Sequence, residues 1–199
     1  TDMIRNLAKL CIENKGSISP ALLPERYNEG TGVCNPSIYI DSNGDILISL
    51  RHVHYTLYHS EFNQKFNSGW GPLAYLNPEN DITLRTSNYI GRLNPVSLYI
   101  EEIEKIDTSE NDIKPIWEFI GLEDIRVFRW EEKLYVSGVR RDIKEDGEGR
   151  MELCEIKKTA EGYKEVSRMR IEVKPGTYLE KNWMPILDMP YHYVRWSNP

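Results

Sequence analysis

Apolar and polar residues alternate along most of this chain, and that two-residue period predicts strands. Ile38 and Ile40 lead into Ser42-Asn43-Gly44-Asp45, after which Ile46, Ile48 and Leu50 alternate again. This reads as strand, Asn-Gly turn, strand. The same layout recurs around Trp130-Glu131-Glu132-Lys133, and once more with a turn near Asp188-Met189-Pro190. Met151 to Gly176 reads as an outer hairpin turning at Thr159-Ala160-Glu161-Gly162, and Glu145 to Arg150 as a solvated loop. Helical spacing is confined to residues 1–16, where Met3, Leu7, Leu10 and Cys11 share a face; Thr1 or Asp2 caps this helix and Gly16 ends it.

The three strand pairs share more than their period. Each opens on a polar doublet, Asn35-Pro36, Glu123-Asp124 or Lys181-Asn182. Two of the second strands run into an arginine, Arg51 and Arg140, and the third carries Arg195. With a further unit around Leu84 to Ile106, the spacing approaches the roughly 40 to 50 residues of a β-propeller blade. The expected fold is all-β: one propeller domain, or part of one, over residues 33–199, preceded by the helix. A β-sandwich is the competing architecture. It does not account for polar groups recurring at the same end of each unit.

Composition narrows the partners. The net charge of −6 argues against nucleic acid, because phosphate neutralisation needs a basic face. Three widely spaced cysteines form neither a metal motif nor a disulfide framework, so a reducing compartment is expected. No run approaches membrane-spanning length and no signal peptide is recognisable, so the expected localisation is cytoplasmic and no membrane partner is expected. Twelve Tyr and five Trp against four Phe suit rings that stack on a polar ligand, though strands favour the same residues. The chain begins at Thr1 and stops at Pro199 directly after a strand-like run, which is expected of a piece of a longer protein.

The ordered set Asn35-Pro36, Arg51, Gly121-Leu122-Glu123-Asp124-Ile125-Arg126 and Lys181-Asn182 before Pro185 resembles glycoside hydrolase family 130. That family comprises five-bladed β-propeller β-mannoside phosphorylases and hydrolases. Ile125 stands where the family's Gly-x-Glu-Asp-Pro-Arg motif has proline. The resemblance implies an oligosaccharide or glycoside as substrate and Asp124 as general acid, its proton relayed through a sugar hydroxyl. It also implies an attached glycosyltransferase domain, or a self-partner completing the propeller, because fewer than five blades can be counted.

The residues themselves leave the reaction open. A glycosidic bond breaks as its leaving oxygen is protonated, a task for a carboxylic acid. A phosphorylase would hold inorganic phosphate on arginines, from among Arg51, Arg126, Arg140 and Arg141, helped by Lys181 and by His52 or His54. A hydrolase would need a carboxylate base, for which Glu180 is the first candidate, ahead of Glu61 and Asp188. Alternation sends at least one of Arg140 and Arg141 away from any pocket, and places Glu123 opposite Asp124. Asn35, Glu123 and Asn182 complete the expected substrate contacts. Trp183 is the preferred stacking ring, ahead of Trp70, Tyr55 and Tyr191. His52 and His54 lack a third ligand at a telling spacing, so neither a metal nor another cofactor is expected.

Overall fold

A computed structural model describes residues 2–27, 32–56 and 73–195; the expectations that fall on Glu61 and Trp70 lie outside them. Helix α1 (Asp2–Glu13) ends in a Schellman turn. Its left-handed residue is Lys15, at φ 62°, and Gly16 follows it rather than closing the helix. Among the described residues no helix is long and apolar enough to cross a membrane.

The rest is β. Strands β1 (Gly32–Ile40), β2 (Ile46–Val53), β5 (Leu84–Leu93) and β6 (Ile100–Asp107) form one antiparallel meander. A short pair, β3 (Tyr55–Thr56) and β4 (Ala74–Tyr75), lies between β2 and β5 in the chain, and β7 (Phe119–Ile120) pairs with β5. Strands β8 (Leu122–Trp130), β9 (Lys133–Arg140), β10 (Arg150–Thr159) and β11 (Gly162–Arg170) form a second meander of the same order. The two join where β11 runs parallel to β6, and β1 lies against β8, with Val127 N–H donating to Ser37 Oγ at 3.4 Å. The result is a nearly closed, barrel-like sheet of eight strands. A third strand pair, β12 (Met184–Pro185) and β13 (Tyr193–Val194), stands apart from it.

The stretch from Leu84 to Ile106, expected as a unit of its own, completes the first meander instead. Strand β2 is buried from Leu47 to Val53, and a buried strand cannot leave one edge of its backbone unpaired. β5 supplies that edge, with Leu50 opposite Tyr89. The loop Glu145–Arg150 also departs from expectation: Gly147, Gly149 and Arg150 are buried, and Trp117 packs where a Cβ on Gly147 would stand.

The main core lies between the meanders, where Leu47 and Ile90 meet Ile125, Val136 and Ile156. The far face of the first meander is covered by Leu23 and Tyr27, and that of the second by Trp183 and Tyr193. Layers of this kind bury both sides of each sheet and hold the first strands, β1 and β8, side by side.

Both first strands carry a bulge at the same place. Register slips between Cys34 and Ser37 in β1, and between Glu123 and Arg126 in β8. The left-handed residues there are Asn35 (φ 48°) and Asp124 (φ 54°), and Asn182 (φ 60°) holds the same conformation ahead of β12. Asn and Asp tolerate this region better than other side chains. Gly138 sits beneath the second bulge, where a Cβ would lie 2.4 Å from Glu123 O and 3.0 Å from Ile125 Cγ2. Gly138→Ala is therefore expected to cost about 1–3 kcal/mol, read as a lower urea midpoint at unchanged slope.

Candidate functional site

The bulges decide which side chains meet. In a regular strand Glu123 and Asp124 would face opposite ways. The left-handed turn at Asp124 breaks that alternation, and both carboxylates reach one cation, Arg51 of β2. Arg51 Nη1 donates to Asp124 Oδ1 at 2.6 Å and Nη2 to Glu123 Oε2 at 3.2 Å. Its remaining donors reach Tyr55 Oη at 3.2 Å and Thr86 Oγ1 at 3.1 Å. Asn35 Nδ2 donates a short hydrogen bond to the same Asp124 Oδ1, joining the two bulges. Asp124 Oδ2 has no partner among the described residues.

A cleft of about 170 Å3 opens here, lined by Asn35, Ser37, Asp124, Arg126 and Asn182. All three left-handed polar residues therefore stand on one cleft. Arg126 is partly buried and makes no ion pair or hydrogen bond among the described residues, and the exposed Lys181 makes none either. Arg51 is 8% exposed and committed to its partners, so Arg126 is the cation left for a ligand in this cleft.

Burial acts on the groups around Arg51. Glu123 is pushed above its usual range by burial, against the pull of Arg51, and with a smaller push from Asp124. Its Oε1 is buried without a hydrogen-bond partner. Cys34, opposite Arg51 on the paired strand, is also raised, first by burial. Tyr55 is raised to about 12 by burial, although Arg51 pulls the other way. None of these three groups lines the cleft, whereas Asp124 does.

The two arginines at the end of β9 part company. Arg140 lies opposite Leu122, whereas Arg51 lies opposite Cys34. Counted from the bulge residues these positions differ by one, and one residue along a strand reverses the face. Arg140 accordingly turns away, donating to Glu152 Oε2 at 2.8 Å between the meanders. Arg141 lies with its guanidinium 4.1 Å from the centre of the Trp117 ring and donates to Gly147 O, and its charge is felt by Glu123. Only Arg141 of the pair acts on the Arg51 cluster.

Several expected ligands of the site have structural work instead. Trp183 is 5% exposed and packs on Tyr193 and beside Val139 and Met151, so it offers no ring to a sugar. Glu180 accepts from Thr177 N and Oγ1, from Trp183 Nε1 and from both Arg195 Nε and Nη2. Such a carboxylate is occupied and a poor base. His52 stacks on Tyr89 at 4.2 Å and is lowered to about 4, first by burial and then by His54 and Lys105, so it is a neutral core ring near pH 7. Tyr191 is exposed, its hydroxyl directed to Glu131. The contributions of Thr86 and Trp117 were not foreseen: neither lies near a charged motif in sequence, and only the sheet pairing brings them in.

Glu180 gives a pH test. Its carboxyl is held at about 2 against an ordinary 4.5, chiefly by the Arg195 hydrogen bonds. A folded-state value below the unfolded one contributes stability that is complete above the unfolded value and is lost as pH falls through the folded one. Glu180→Gln is thus expected to be less stable than the parent at pH 7, with the gap closing between pH 4.5 and about 2 in denaturation curves. Comparisons with protein-family models, with curated proteins and with solved structures give no match, so the geometry of the Asn35–Asp124–Asn182 cleft carries the functional reading.

Proposed function

We propose that the two meanders are adjacent blades of a five-bladed β-propeller, with β12 and β13 beginning a third, and that the cleft at their first strands binds a glycoside. The observation that carries this reading is the repeated left-handed Asn or Asp at the entry to three successive strand pairs, all three on one cleft. In this reading Asp124 is the general acid, its Oδ1 fixed by Arg51 and Asn35 and its Oδ2 left for the leaving oxygen or a relaying hydroxyl. Arg126, with Lys181 at the rim, is the place for phosphate, which favours phosphorolysis of a glycoside over hydrolysis. The resemblance noted in the sequence assigns a mannoside, with no organic cofactor. Glu180 is no longer the base of a hydrolytic alternative, because its acceptors are filled.

A second reading is favoured by the Arg51–Asp124 contact of 2.6 Å. A carboxylate held that closely by arginine suits recognition of sugar hydroxyls without turnover, as in a glycan-binding module beside a glycosyltransferase. Anomeric-proton NMR on a panel of β-mannosides, with and without phosphate, separates the two. Turnover to sugar 1-phosphate only when phosphate is present is the expected result. Asp124→Asn should lower that rate by about 10²- to 10⁴-fold with glycoside binding retained, and Arg126→Ala should raise the phosphate requirement. Binding without product in the unaltered protein would establish the module.

A further inference from the structure

A second cavity, of about 340 Å3, lies between the meanders, away from the Asp124 cleft. Its walls come from β5 and β6 on one side and from β8, β9 and β11 on the other, with the 108–121 connection across it. Two buried acceptors in its lining have no hydrogen-bond partner, Asn88 Oδ1 and Asp142 Oδ1. Asp142 is 2% exposed; its other oxygen is taken by Gly121 N–H at 2.8 Å and Arg140 at 3.5 Å. Asn88 has its amide nitrogen committed to Leu122 O at 2.7 Å, which fixes Oδ1 as the free acceptor. Glu165, also 2% exposed, spends its Oε1 on Arg168 Nε at 2.8 Å and is not free in the same way.

Buried acceptors without donors are costly, and the structure tolerates few of them without a reason. The two stand on different walls, Asn88 on β5 and Asp142 just past the end of β9, and a ligand with several hydroxyls can reach both. The mouth has a different character: Arg85, Lys105 and Lys114 are exposed, and none makes an ion pair among the described residues. Leu122 and Val136 add buried apolar surface to its lining.

We propose that this inter-meander cavity binds a phosphorylated sugar or polyol. Its hydroxyls satisfy Asn88 and Asp142, its C–H face rests on Leu122 and Val136, and its phosphate meets Arg85, Lys105 and Lys114. The site is independent of the glycoside cleft, since none of the residues lining one lines the other. It has a route to that cleft: Asp142 holds Gly121, whose φ of 98° starts the strand that carries Glu123 and Asp124.

Titration calorimetry tests this with hexose 6-phosphate and glycerol 3-phosphate as probes, and with free hexose and inorganic phosphate as controls. At least one phosphorylated probe is expected to bind, and each control to bind at least about tenfold more weakly. The double variant Lys105→Glu/Lys114→Glu, whose exposed positions leave the core alone, should weaken the bound probe by at least about tenfold at unchanged melting temperature without ligand. Arg126→Ala should leave that affinity unchanged. Failure of both phosphorylated probes to bind overturns the proposal. So does equal binding of either control, indifference to the double variant, or loss on Arg126→Ala, which would move the binding to the other cleft.

Discussion

Arg51 is the interaction on which the site depends. It leaves the first meander from the end of β2, is 8% exposed, and places its guanidinium on Glu123 and Asp124 of the second. Removing such charges from water costs several kcal/mol each, which is recovered only if the donors and acceptors are matched. Here Arg51 finds four acceptors, on Glu123, Asp124, Tyr55 and Thr86. The match requires two consecutive carboxylates on one side of a strand, and the left-handed Asp124 provides it. Gly138 beneath the bulge and Gly121 ahead of it give that backbone the room it needs.

A second buried charge network serves the same interface. Glu152 faces Arg140 at 2.8 Å, with Arg170 at 3.8 Å and Arg168 at 3.9 Å around it. These groups continue the face that begins with Val136 and Cys154, so the gap between the meanders passes from apolar core to polar cavity along single strands. The catalytic reading and the phosphorylated-polyol reading therefore draw on the two polar regions of one interface. Thr86 joins them, lining the cavity while it accepts from Arg51 Nε at 3.1 Å.

Much of the fold was legible because it is local. The hairpin turns at Ser42–Asp45, Glu131–Glu132 and Ala160–Glu161 follow from turn residues between alternating strands, and all three occur. Asn35, Arg51, Glu123, Asp124, Arg126 and Asn182, singled out as candidates, do assemble. What stayed hidden depends on register. The partition of Leu84 to Ile106 into the first meander required knowing that β2 is buried on both sides. Trp183 and Glu180 share a polar segment with Lys181 and Asn182, yet they face inward, toward Met151 and Arg195. Alternation alone parts Arg140 from Arg141, but which of the two turns away depends on the bulge in β8, which no residue pattern announces.

The most direct test of the central claim, that three left-handed polar residues build one saccharide site, is amide and side-chain chemical-shift mapping with a β-mannoside. The account predicts that the shifts concentrate at Asn35, Asp124, Arg126 and Asn182, and that they are reduced in Arg126→Ala. Shifts spread elsewhere, or none at saturating glycoside, would contradict it.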